Sequence, residues 1–253
     1  MTDTRSLRRH PLVAITLVMS AALASTPVLA DDIGLGLGGN QQDFELAMQD
    51  LQAAFSYKGL APAEPLGTLG FHAGVIASYT GIENDQAWRN LTGSSFDDLG
   101  VVAIAAGKGL PFGIDVGAFI ADVPGSNVNL FGAEVRYALA EGGIATPAVG
   151  LRASYTKING LDELDFDTAS IDVSVSKGFV FLTPYVGVGR VFSNADPKFA
   201  STDPRNLQYS KVDNSDNKFY GGVRISLALF KITAELDQTG DNTSYNLRLA
   251  LGF

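Results

Sequence analysis

From Gly70 onward the chain alternates between apolar residues and small or polar ones. Phe71, Ala73, Val75, Ala77 and Tyr79 share one face, and His72, Gly74, Ile76 and Ser78 share the other. A period of two is the mark of a strand whose faces meet different surroundings. The alternation recurs and predicts strands over 69–80, 98–107, 112–122, 128–140, 146–157, 167–177, 180–192, 218–228, 230–237 and 243–253. Each is near the ~9–11 residues with which a tilted strand crosses a bilayer. The expected fold class is all-β, a transmembrane antiparallel β-barrel of about ten strands, with roughly 8–12 compatible with the pattern.

Ahead of the strands the period is different. Phe44, Ala47, Met48, Leu51 and Phe55 recur at helical spacing, and Asn40 stands where a cap belongs. Ala61-Pro62-Ala63-Glu64-Pro65 ends the helix. Two placements are open for this segment: a plug inside the barrel, or a periplasmic extension lying against its mouth. The second is the expectation, because a barrel of about ten strands has little free lumen.

The connections between strands are asymmetric. If the first strand rises from the periplasm, Lys108-Gly109-Leu110-Pro111, Glu141-Gly142-Gly143, Lys177-Gly178-Phe179 and Leu229 form short inner turns. The outer connections are 81–97, 123–127, 158–166, 193–217 and 238–242. Short periplasmic turns and longer outer loops are the habit of membrane barrels. On this reading both termini are periplasmic, and the long loops 81–97 and 193–217 are extracellular.

Face composition decides which side meets lipid. In the last strand Tyr245, Leu247, Leu249, Leu251 and Phe253 oppose Asn246, Arg248, Ala250 and Gly252. In the one before, Phe230, Ile232, Ala234 and Leu236 oppose Lys231, Thr233, Glu235 and Asp237. The polar faces are small residues punctuated by charges of both signs, which suits a narrow filled lumen better than a solvated exterior. Phe71 and Tyr79 share a face at a spacing of eight, as do Tyr245 and Phe253. Eight residues at ~3.3 Å, tilted by ~40°, span roughly 20 Å, close to the ~25 Å band between aromatic girdles. The strands must also be neighbours if the barrel closes, with their aromatics at matching heights.

The start of the chain sets the compartment. Arg5, Arg8 and Arg9 precede an apolar stretch from Pro11 to Ala24 that is too short to span as a helix. Val28-Leu29-Ala30 then gives small residues before Asp31-Asp32, the pattern of a secretory signal cleaved after Ala30. The expected organisation is 1–30 signal peptide, 31–68 N-terminal extension with a short helix, and 69–253 barrel.

At this point the chain resembles the Gram-negative outer-membrane β-barrels inserted by the barrel-assembly machinery. The resemblance lies in Tyr245-Asn246-Leu247-Arg248-Leu249-Ala250-Leu251-Gly252-Phe253, an alternating last strand that ends in an aromatic residue. It implies that Tyr245, Leu247, Leu249, Leu251 and Phe253 form the assembly signal. It also implies the assembly machinery as a partner during biogenesis, with outer-membrane lipid and lipopolysaccharide around the mature protein.

Composition adds limits. With no cysteine, thiolate zinc sites, disulfides and cysteine nucleophiles are excluded. The formal charge is −9, and the three arginines and one aspartate before Asp31 leave −11 on the rest. An acidic chain without a basic stripe argues against nucleic acid as a partner.

Candidate chemistry is sparse. His10 lies in the signal. His72 has its nearest inward Ser on the same strand at Ser78, ~20 Å away, so it is expected to be a satisfied lumen residue rather than a general base. Asp162, Glu163, Asp165 and Asp167, and then Asp213-Asn214-Ser215-Asp216, are oxygen-rich but lack the spacing of a calcium loop. Gly34-Leu35-Gly36-Leu37-Gly38-Gly39 follows no strand and is not a dinucleotide fingerprint. No catalytic residue, metal site or cofactor is expected.

Charges remain in the lumen. Asp115, Glu134, Arg136, Arg152 and Asp172 lie on one run of consecutive strands, and Arg224, Lys231, Glu235 and Arg248 on another. An ion-pair network that fills the lumen is expected, with Arg248 beside Glu235; a polar conduction path is the alternative. The expected role is non-enzymatic, either structural or loop-presenting. The alternatives are a narrow transport protein for small or apolar solutes and a lipid-modifying enzyme.

Overall fold

The computed structural model describes residues 38–95 and 97–253. The expected signal, its His10 and most of the Gly-rich start lie outside the described residues. Helix α1 (Gln41–Phe55) comes first, then β1 (Phe71–Gly81), a short helix α2 (Asp85–Thr92) and β2 (Asp98–Gly109). There follow β3 (Ile114–Asp122), β4 (Asn129–Ala140), β5 (Ala148–Asn159), β6 (Leu164–Ser176), β7 (Leu182–Pro197), β8 (Val212–Leu227), β9 (Phe230–Thr239) and β10 (Asn242–Gly252). The ten strands close antiparallel, each beside its sequence neighbour, with β1 against β10. Closure leaves no strand edge unpaired, which a bilayer interior demands.

Side-chain parity follows the sequence pattern around the wall. Val75, Ile104, Ile120, Val135, Ile171, Val188, Leu236 and Leu249 are exposed on the outer face, whereas Asn246, Arg248 and Glu235 are buried within. At the seam Tyr79 opposes Tyr245, and the Phe71 and Phe253 rings meet edge-on at 4.7 Å. The aromatics therefore line up at two heights, as closure requires. Inward glycines stand opposite bulky inward neighbours: Gly132 opposes Phe119 and Gly187 opposes Tyr220, and an added Cβ would collide with either ring.

Strand ends differ from expectation on one side of the barrel. β7 and β8 each have 16 residues and run well past the apolar belt. The expected loop 193–217 therefore narrows to 198–211. At that height strand pairing continues through Asn194, Asp213 and Ser215, all turned outward toward water. Between β1 and β2 the connection contains α2, whose buried Trp88 and Leu91 hold it down on the barrel.

The N-terminal segment departs further from expectation. It is not an extension against the mouth; it runs through the lumen. Asn40 caps α1 reciprocally with Asp43, and Phe44, Met48, Leu51 and Phe55 are buried. The start of α1 meets the long connections: Gln41 and Ser210 exchange hydrogen bonds, and Gln208 donates to the Gly39 carbonyl. Its continuation descends to Gly70, beside the start of β1. The start of α1 thus stands at the long-loop end, and Gly70 and Phe253 stand at the short-turn end. The reason for the threading is space: inward Gly, Ala and Ser leave room for a helix and then for an extended strand of plug.

Candidate functional site

The candidate site is the lumen together with what fills it. Its half nearest the long loops is an apolar core. Plug residues Phe44, Met48, Leu51, Phe55, Tyr57 and Leu60 pack on inward Ile76, Leu99, Val101, Phe119, Leu130 and Phe166. Tyr57 lies 5.1 Å from Phe119 and Phe55 lies 6.5 Å from Phe166 between ring centroids. Such close-packed apolar contact excludes water.

One carboxylate pins the top of this core. Asp50 of α1 accepts from the Trp88 indole at 2.9 Å, from the Asn84 amide at 3.0 Å and from the Asn242 amide at 2.7 Å. It also accepts from the Glu83 and Asn84 backbone N–H groups. A buried carboxylate needs this many donors to offset its lost hydration. The result ties α1 to α2 and to the β9–β10 turn.

Below Phe55 the plug has no helix or ladder of its own, so its backbone must find other partners. Lumen side chains supply them. Lys218 donates to the Tyr57 carbonyl, Arg248 to the Gly59 carbonyl at 3.3 Å, and Arg136 to the Pro62 carbonyl at 3.1 Å. The Leu66 N–H donates to Asp115 at 3.1 Å. Pro62 and Pro65 bring no N–H that would need an acceptor. At Gly59 an added Cβ would fall on the Arg152 guanidinium, so the plug passes that point only without a side chain.

Two plug charges complete the arrangement. Lys58 is buried, donating to both Asp237 oxygens at 3.1 and 3.2 Å, to Ser244 and to the Ala53 carbonyl. Glu64 pairs with Arg224 at 2.9 Å.

The sequence-derived lumen residues all point inward, and their partners are as follows. Arg136 binds Asp115 at 2.8 Å. Arg152 grips Asp172 through Nε and Nη2 at about 3 Å, and Tyr220 donates to the same carboxylate. Glu134 stands 3.8 Å from both Arg136 and Arg152. Glu235 accepts from the Tyr185 hydroxyl at 2.7 Å. Arg248 does not meet Glu235, which corrects the expected pair. In register Arg248 opposes Thr233, while Glu235 opposes Asn246. The Arg248 guanidinium lies toward the short-turn end, against His72 and the Gly59 carbonyl. No ion pair or hydrogen bond to Lys231 is present among the described residues.

Other residues of the site escaped sequence reasoning. Asp237, already on the polar face by alternation, was not singled out as a partner. Lys218 sits at an inward position and could have been found by parity. Asp50, Lys58 and Glu64 could not, because their roles exist only once the segment is threaded. A cavity of about 10 Å³, room for one water, lies between Ala61–Pro65 and Asp115, Arg136 and Arg152. The oxygen-rich stretch near Glu163 is tied up by cations: Lys157 and Lys198 reach Asp165, and Arg205 reaches Glu163 and Asp203. Hydrogen bonds from Arg205 hold the Asp203 carboxyl below its ordinary range.

A closed antiparallel barrel with an apolar outer belt, aromatic ends and a polar filled interior has the architecture of a transmembrane β-barrel. No protein-family model and no curated protein matches the chain. Among solved structures it is similar to the N-terminal β-barrel domain of Pseudomonas aeruginosa OprF, at 15% identity and TM-score 0.38 over 74% of this chain and 99% of that one. It is also similar to the outer-membrane protease OmpT of Escherichia coli, at 10% identity and TM-score 0.38 over 72% and 95%. A third is Ail, the attachment invasion locus protein of Yersinia pestis, at 12% identity and TM-score 0.32 over 72% and 96%. These likenesses concern the fold alone.

Proposed function

We propose that this is a plugged, non-conducting, non-enzymatic barrel of the outer membrane whose working surface is its long-loop end. The observation that carries the reading is the threaded N-terminal segment, with an apolar core in one half of the lumen and charge-held backbone in the other. A solute would have to displace both. The longer connections face outside, the short turns face the periplasm, and the start of the plug is therefore on the outer side. Phe253 is on the inner side, where the assembly machinery would take the segment Tyr245–Phe253. Lipid meets the outer belt, and lipopolysaccharide meets its upper part. His72 lies against a guanidinium rather than a carboxylate or a serine, which supports the non-enzymatic reading.

Planar-bilayer recording of the full-length protein tests this. The expected result is no step conductance above leak at moderate voltage. Steady open-channel current from the unmodified protein would overturn the reading in favour of transport.

A further inference from the structure

The short-turn half of the lumen carries more positive charge than its partners neutralise. Arg224 of β8 and Arg248 of β10 both oppose Thr233 of β9, one on each side, and Lys231 lies two residues nearer the short-turn mouth. All four point inward. Lys231 is diagonal to both arginines, ~7–8 Å between Cβ atoms, and the two arginines flank β9 roughly 10 Å apart, so the three cations share one patch of wall. Glu64 of the plug is the carboxylate that reaches this patch, and it binds Arg224 alone. Across the lumen Arg136 is already matched by Asp115. Among the described residues Arg248 has no ion pair; its contacts are His72 and a carbonyl, it is 5% exposed, and its Nε has no hydrogen-bond partner. Arg224 Nε is likewise without one.

We propose that Arg224, Lys231 and Arg248 form a blind-ended anion site, open at the short-turn mouth, that takes a small soluble oxyanion of the phosphate or sulfate class. Three observations carry it. Three cations face one plug carboxylate, Glu64, while Glu134, which flanks Gly59 opposite Arg248, is already shared by Arg136 and Arg152. Buried guanidinium donors stand unused, although a guanidinium fork matches tetrahedral oxyanions as well as carboxylates. Arg224 and Lys231 are partly exposed, so the patch is reached from solvent, and Arg248 is buried beside them. Membrane headgroups are kept out, because all three cations are on the lumen side of a closed wall. The Glu64 carboxylate acts as an internal competitor, occupying the Arg224 part of the site. The site does not require a conducting lumen: the plug closes it above.

The test is calorimetric titration of inorganic phosphate into the full-length protein in a non-ionic detergent at low ionic strength. Saturable one-site binding is expected. Lys231→Gln, which removes a half-exposed side chain, should weaken it about tenfold, the worth of one charge-assisted hydrogen bond. Glu64→Gln should tighten it by a similar factor, a gain that a misfolded variant cannot produce. Lys177→Gln, at the same end but outside the lumen, should leave it unchanged. No saturable binding in either the unmodified protein or the Glu64→Gln variant would overturn the proposal. So would an equal loss in Lys177→Gln and Lys231→Gln, the mark of unspecific surface attraction, or phosphate binding unaffected by Lys231→Gln.

Discussion

Lys58 and Asp237 are the residues on which the plug depends most. Each is buried, and Asp237 also accepts from Asn246 at 2.7 Å. Asp237→Asn should leave the Lys58 ammonium in a closed lumen without its counter-charge, at a cost of ~3–5 kcal/mol. Lys58→Met combined with Asp237→Asn should recover part of that loss, since the orphaned charge is gone. Reversible urea unfolding in lipid vesicles, analysed as a double-mutant cycle, measures both. A double variant no better than Asp237→Asn would mean that Lys58 is not held by this carboxylate. On the outer face Leu249 opposes Val75 and Ile232, mid-belt, so Leu249→Arg should cost ~2–4 kcal/mol in the same assay. A neutral result would remove Leu249 from the lipid face.

Among the elements, α1 shows what a sequence does and does not disclose. Its cap, its length and its apolar stripe were readable, because each is a local matter of spacing and of Asn40. What the stripe packs against was not, because an apolar face is the same whether it lies in a lumen or across a mouth. The strands were readable for the opposite reason: period two is visible without knowing the neighbour. Their ends on β6 to β8 were not, since Asp213-Asn214-Ser215-Asp216 reads as loop while pairing as strand beyond the membrane. The register error at Arg248 has a similar origin. Parity fixes the face but not which inward residue stands opposite, nor which way a long guanidinium leans. Asn40→Ala should destabilise α1 by ~1 kcal/mol, seen as faster proteolysis near residue 41 with the barrel intact. Unchanged cleavage would show that the cap does not anchor the plug.

For the whole molecule, one design links sequence to closure. Small inward residues make space, the N-terminal segment fills it, and wall charges serve as hydrogen-bond partners for a backbone that has none of its own. This explains why charges of both signs line a lumen that the chain's own N-terminal segment fills. The absence of cysteine makes the arrangement directly measurable by paired spin labels. One pair joins Gln42 at the start of α1 to Asp241 in the β9–β10 turn; the other joins Gln42 to Ile144 at the opposite end. Ten strands ~4.8 Å apart and tilted by ~40° enclose a barrel roughly 20 Å wide, and 12 residues at that tilt rise about 30 Å. The threaded plug predicts that the Gln42–Asp241 distance stays within about 20 Å while Gln42–Ile144 is about 30 Å or more. The reverse order, with Gln42 close to Ile144, would contradict it and return the segment to the short-turn mouth.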